Sequence, residues 1–261
     1  MRADRIIFGT ASVRSRTSYS QFANAAKLAC SLGIEIFDTV PLYGRRLAQK
    51  YLARFISENP YQPMKVITKV GRVIKLDLKT FLILLLRRDF SSMDSRLICV
   101  SGSGCSLSKA NILRLKAEIY NLFDSERVIE VLAHLPGRAT ITAEMLSKLD
   151  EVFAPFSPVG YSDPDLSDLN QFRTCYSNSF LVQVSYVEFL KRPDLQRQAG
   201  HLVINRILRF SRRHGVPTNH IFEKIDTIRL DKKTSFNFGL YSSDVMNDVV
   251  SEDTTYSSEF V

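Results

Sequence analysis

The sequence predicts an α/β fold and, within that class, a single closed (β/α)8 barrel of the TIM type. Three observations carry this. Short strand-like runs alternate with longer helix-like runs, the order that gives parallel strands joined by crossover helices. Eight such strand-like runs are present, the number that closes a barrel. The chain has 261 residues, and one barrel occupies about 250.

The elements follow in order. Arg5-Ile6-Ile7-Phe8 is the first strand. Tyr19 to Leu32 has the helical period, with Phe22, Ala26, Ala29 and Cys30 on one face and Gly33 as its stop. Ile34 to Phe37 is a strand, Arg45 to Ile56 a helix and Lys65 to Thr68 a strand. Val70 to Leu107 is mixed in character and reads as an expanded strand–helix unit. Ser108 to Phe123 is a helix that Ser106 or Ser108 can cap. Val128 to Ala133 is a strand, Ala143 to Phe153 a helix, and Ser157 to Tyr161 a short strand. A short helix near Asp165 to Phe172 precedes strands at Phe180 to Tyr186 and Leu202 to Asn205. Helices at Arg206 to His214 and Asn219 to Ile228 lead to the last strand, Thr234 to Gly239. Residues 1–250 thus form the barrel, and the polar, acidic stretch 251–261 reads as a loose tail.

A doubly wound sheet is the competing architecture. It rests on Arg96 to Val100 followed by "SGSGCSLS", which looks like a strand leading into a nucleotide loop. The third glycine of that motif is missing, as is an acidic residue ending the next strand. The most apolar stretch, Phe81 to Leu86, is far too short to span a bilayer; the wider Thr80 to Phe90 segment is open to lining a pocket, packing outside the barrel or forming a partner surface, with packing favoured.

Composition narrows the function. The formal net charge is +8, but Lys and Arg are scattered. Arg212-Arg213-His214 and Lys232-Lys233 are the densest clusters. The surplus reads as solvated surface plus one anion site rather than a nucleic-acid footprint. Cys30, Cys99, Cys105 and Cys175 have no CxxC spacing, so neither a zinc site nor a redox motif is expected. No leader-like segment opens the chain, and a reducing, cytoplasmic setting is expected.

Strand ends then point to a site. In a barrel, the carboxyl ends of the strands line the active face. Asp38 ends the second strand and Tyr43 follows in its loop, within "GIEIFDTVPLYG". Lys69 ends the third strand within "KVITKVG", and His134 the fourth within "VIEVLAHLPG". Singly, each has an ordinary structural reading: a cap, a surface turn, a solvated amine, a packed histidine. Their succession on adjacent strand ends, about 5 Å apart, favours a shared site.

The chemistry they suit is carbonyl reduction. A tyrosine ordinarily titrates near about pH 10, too high for a proton donor at neutrality. A neighbouring ammonium lowers that value by favouring the phenolate, and Lys69 would supply it. Asp38 would pair with Lys69, and His134 would orient the substrate oxygen. The hydride requires a nicotinamide, since no side chain delivers one.

The sequence resembles an aldo-keto reductase. The likeness runs through "IIFGTAS", "GIEIFDTVPLYG", "VITKVGR", "VLAHLPG", "VGYSD" and "LVQVSYVEFLKR". It implies Asp38, Tyr43, Lys69 and His134 as the catalytic tetrad, with Tyr43 the general acid. It implies NADPH, with NADH also open, bound across the barrel mouth. By the same likeness Thr10 and Asp38 lie near the nicotinamide ribose. Ser162, Asp163 and Gln183 hold the carboxamide. Asn205 stands where the family has an aromatic platform. Gly239, Ser242 and Ser243 form the phosphate-binding turn. No metal is implied.

Two departures stand out. Asp163 replaces the usual asparagine, and a carboxylate only accepts hydrogen bonds where an amide also donates. The family's basic contact to the 2′-phosphate has no clear match, although Arg206 and Arg209 lie in the region. The expected activity is therefore reduction of an aldehyde or ketone, with a small-molecule carbonyl substrate and neither nucleic acid nor membrane as partner. The alternative is a cofactor-binding barrel acting as a sensor or regulatory subunit. Substrate identity and oligomeric state are not readable from the residues.

Overall fold

The computed structural model describes residues 3–14, 16–41, 43–71, 109–134, 142–155, 157–163, 169–170, 174, 180–192, 194–195, 199–215 and 234–238. Eight parallel strands close into a barrel in chain order, with β8 pairing back onto β1. They are β1 (Ile6–Gly9), β2 (Ile36–Asp38), β3 (Lys65–Val70), β4 (Val128–His134), β5 (Val159–Ser162), β6 (Leu181–Ser185), β7 (His201–Asn205) and β8 (Thr234–Phe238). The described helices are α1 (Tyr19–Ser31), α2 (Leu47–Glu58), α3 (Lys109–Leu122), α4 (Ala143–Phe153), α5 (Tyr186–Lys191) and α6 (Ile207–His214). The barrel expectation holds, and the closed strand order removes the doubly wound alternative.

Local chemistry sets the helix starts. Ser18 and Gln21 form a reciprocal capping box at α1, satisfying two orphan backbone donors. Thr142 caps α4 by accepting from the Met145 N–H at 3.2 Å. Most boundaries differ from expectation by one or two residues, and the end of the sixth strand shows why. The sixth strand stops at Ser185 rather than Tyr186, and Tyr186–Lys191 is helical. Ser185 Oγ accepts from the Glu188 N–H at 3.2 Å. Ser185-x-x-Glu188 is thus a helix-start signal inside a stretch whose β-branched and aromatic residues suggest strand.

Several expected features lie outside the described residues: the 72–107 segment with its "SGSGCSLS" turn, the 219–228 helix and the 251–261 tail. Most of the expected short helix at 165–172 lies outside them as well. Among the described residues, no helix is long and apolar enough to cross a membrane.

Two apolar layers hold the barrel. Ile7, Ile67, Leu132, Leu181 and Val203 fill its interior. Outward-facing Phe8, Phe37, Val66, Val131 and Phe236 pack beneath the helices with Phe22, Leu52 and Phe55. Each such buried side chain contributes roughly 1.5–3 kcal/mol relative to exposure. Burial on both faces is why these strands are near-continuous apolar runs rather than alternating ones.

Glu130 is the exception in the lower interior. It is buried on β4, and its Oε1 lies 2.9 Å from where a Cβ on Gly160 would sit. Gly160 therefore leaves the space the carboxyl occupies. Burial pushes Glu130 from an ordinary 4.5 up to about 7, partly opposed by a backbone hydrogen bond from Leu181. A raised carboxyl makes the folded state bind its proton more tightly than the unfolded chain. The resulting stability is fully present below about pH 4.5, falls as pH rises through about 7, and is absent above it. Glu130→Gln should remove this component. The variant should gain on the order of 3 kcal/mol relative to wild type between pH 4.5 and 8, read by urea unfolding at a series of pH values.

Candidate active site

The carboxyl ends of the strands converge on one polar cluster. Asp38, at the end of β2, is 2% exposed and Lys69, on β3, is 1% exposed. The Lys69 ammonium donates to Asp38 Oδ1 as a buried ion pair. Gln183 Nε2, on β6, donates to Asp38 Oδ2 at 3.3 Å. Asn237 Nδ2, on β8, donates to the same oxygen. Ser162 Oγ, at the end of β5, donates to Gln183 Oε1 at 3.0 Å. Thr10 braces the main chain here: its N–H and its hydroxyl each donate to the Asp38 carbonyl at 3.0 Å.

Tyr43 enters from the turn after β2. Lys69 Nζ lies 6.0 Å from the centre of its ring, within the range where a cation and an aromatic face attract. Gly44 sets this turn. Its φ is +55°, and a Cβ there would meet the Val13 carbonyl oxygen at 2.9 Å. A side chain would be strained in conformation and would push apart the loops after β1 and β2.

His134 reaches the mouth through an irregularity. Val66 pairs with Val128, but Ile67 pairs with Glu130, leaving Ile129 as an extra residue in β4. Val128, Val131 and Ala133 face the outer core, while Leu132 faces the interior. Side chains alternate strictly along a regular strand. Without the bulge His134 would share the outer face of Val128. The extra residue resets the alternation and turns His134 inward, where it is 6% exposed.

The remaining expected residues divide. Ser162 and Gln183 are in the cluster, whereas Asp163 is not. Its carboxylate accepts from Arg206 Nη2 at 2.7 Å, forming an ion pair between the ends of β5 and β7. Both residues have left-handed backbones, with φ of 54° and 62°. Asn205 ends β7 on the inward face of Val203, and its Oδ1 is buried without a hydrogen-bond partner among the described residues. Gly239, Ser242 and Ser243 lie outside the described residues. The sequence reading missed Asn237; its only signal is a lone amide between Phe236 and Phe238 near the end of the last strand.

The ion pair is the energetic hinge of the cluster. Removing one partner of a buried pair costs about 3–5 kcal/mol, because the other charge stays buried. Lys69→Met should therefore lower stability by about 3 kcal/mol at neutral pH. Combining it with Asp38→Asn should recover part of that loss, since no lone charge remains. Chemical denaturation of the two single variants and the double variant reads the coupling.

Comparison with known proteins places this geometry. A model of the Aldo/keto reductase family matches residues 5–217. No curated protein matches the chain. Among solved structures, a thermostable aldo-keto reductase bound to the inhibitor epalrestat superposes with a TM-score of 0.69 at 15% identity, covering 98% of this chain and 91% of the other. A Pseudomonas aeruginosa protein assigned as an aldo-keto reductase gives 0.64 at 16% identity, covering 96% and 89%. A Klebsiella pneumoniae aldo/keto reductase, solved with NADP and acetate, gives 0.65 at 13% identity, covering 95% and 84%. At such identities the structural likeness speaks to the fold alone. The family match extends over most of the sequence, and the chain therefore belongs to the aldo/keto reductase family.

Proposed function

We propose that this protein is an NADPH-dependent carbonyl reductase that converts an aldehyde or ketone to an alcohol. The observation that carries the reading is the buried Asp38–Lys69 pair with Tyr43 beside the ammonium, at the mouth of a family barrel. Tyr43 is the general acid. Lys69 favours its ionised form through proximity of charge. Asp38 keeps Lys69 in place and offsets the cost of its burial. His134 orients the carbonyl oxygen.

The residues at the mouth fit a nicotinamide cofactor. Asn205 Oδ1 is a buried acceptor without a partner among the described residues, and such an atom costs about 1–3 kcal/mol until a donor reaches it. Ser162, Gln183 and Asn205 would hold the carboxamide end, with Thr10 and Asp38 near the ribose. Asp163, engaged by Arg206, would not act as the amide it replaces. Gly239, Ser242 and Ser243 remain proposed phosphate contacts on sequence grounds. The relatives solved with NADP or NADPH support that cofactor. When bound, the reduced nicotinamide supplies the hydride.

A second reading, a cofactor-binding barrel with little turnover, is favoured by one observation: Asp163, which the resemblance assigns to the carboxamide, is instead paired with Arg206. Fluorescence titration with NADPH followed by turnover of an aldehyde panel separates the two. Tight binding with no turnover would select the second. Tyr43→Phe should leave NADPH affinity nearly unchanged and lower kcat by roughly 10²–10⁴-fold, because only the transferable proton is lost. Turnover equal to wild type would remove Tyr43 from the acid role.

A further inference from the structure

Asn237 stands on the opposite side of β1 from Asp38, and the way it crosses that strand is unusual. Asn237 pairs in register with Ile7, and Asp38 with Gly9. To reach Asp38, the Asn237 amide lies over Gly9. A Cβ at Gly9 would sit 2.2 Å from Asn237 Oδ1, 3.3 Å from its Cγ and 3.1 Å from the Phe238 carbonyl oxygen. The missing side chain at Gly9 is thus what lets the amide pass. A carboxylate only accepts hydrogen bonds, so the amide nitrogen must be the end facing Asp38. Asn237 is 7% exposed, and its neighbours Phe236 and Phe238 belong to the outer core. A buried amide on such a strand costs stability unless it is bonded, and its bond goes to Asp38.

We propose that Asn237 is a positioning residue for the acid: laid across Gly9, its amide turns the Asp38 carboxylate toward Lys69 and carries part of its charge, leaving more of the ammonium field for Tyr43. This rests on the assignment of Tyr43 made above. Asp38 Oδ1 meets Lys69, while Oδ2 takes both amide donors. The two donors draw negative charge toward Oδ2 and away from the ammonium. Loss of one donor lets the carboxylate neutralise Lys69 more fully, and the Tyr43 phenolate loses support. A second carboxylate in place of the amide does this more strongly. Among the described residues, the other ionisable groups at this end include His134 on β4, the Asp163–Arg206 pair, Arg14 and Arg16 in the loop after β1, and Arg46, which is paired with Glu118. All of these are unchanged in the variants below.

The test uses the cofactor-free full chain with tyrosine 13C-labelled at the ring carbon bearing the hydroxyl. Tyr43→Phe identifies the Tyr43 signal by its loss, and pH titration by NMR gives its ionisation midpoint. The expected order is wild type lowest, Asn237→Leu about half a pH unit higher, and Asn237→Asp about one unit or more higher. Gly9→Ala should raise the midpoint as Asn237→Leu does, and should add nothing in an Asn237→Ala background. Circular dichroism melts establish which variants fold. Asn237→Asp nearly preserves volume. A Tyr43 midpoint equal to wild type in both folded Asn237→Leu and folded Asn237→Asp would overturn the proposal. Aldehyde turnover is measured separately on the wild type. An ordered midpoint shift without turnover would sink the reductase reading and sustain only the tuning of Tyr43 ionisation by Asn237; turnover with unmoved midpoints would overturn the role of Asn237 and leave the reductase reading standing.

Discussion

A carboxylate stripped of water at the barrel mouth is the constraint around which the rest is arranged. Asp38 is nearly inaccessible, and Lys69 is more so. Neither charge is tolerable there alone. The structure answers with three donors on two oxygens, drawn from β3, β6 and β8, and with Thr10 bonding the Asp38 main chain. Strands distant in sequence are thereby tied to one atom group. The Gln183 and Asn237 amides span separations of 145 and 199 residues. Such contacts exist only once the barrel has closed, so closure and assembly of the site are one event.

The backbone bends its own rules at the places this cluster requires. A bulge in β4 turns His134 inward. Gly9 clears a path for Asn237, and Gly44 lets the Tyr43 turn close against the loop after β1. The lower interior shows a related accommodation, Gly160 beside the Glu130 carboxyl. Each removes a side chain or adds a residue where a regular strand would have aimed a group wrongly. Irregularities of this kind collect at functional sites because regular geometry already suffices for packing.

The architecture was legible because its signals are local and repeated. Helical periodicity, Ser and Thr caps and apolar strand runs each needed only a short window. Asp38, Lys69 and His134 were legible because a barrel converts position at a strand end into position at the mouth. Tyr186 was misread as strand because a Ser-x-x-Glu cap competes with strong β-formers, and the cap prevailed. Asn237 and Gly9 were illegible for a different reason. Their roles depend on β1 lying between β2 and β8, a relation between chain ends that no local window contains. The pairing of Asp163 with Arg206 likewise joins two loops 43 residues apart.

That last pair shows how one substitution propagates. A carboxylate at position 163 cannot supply the two-way hydrogen bonding of an amide. Left alone, it would also place a negative charge beside a site proposed to hold an anionic cofactor. Arg206 neutralises it at 2.7 Å, and a partly exposed pair of this kind contributes little net stability. Its consequence is instead one of supply. Asp163 is engaged at the rim by Arg206, and Asn205, the residue before Arg206, brings an amide whose buried oxygen has no partner among the described residues. The end of β5 thus carries a carboxylate and the end of β7 an amide, across β6 and Gln183. Recognition chemistry in a barrel belongs to the rim rather than to any one strand, and a group missing from one strand end can be met from a neighbour without disturbing the Asp38 cluster beneath.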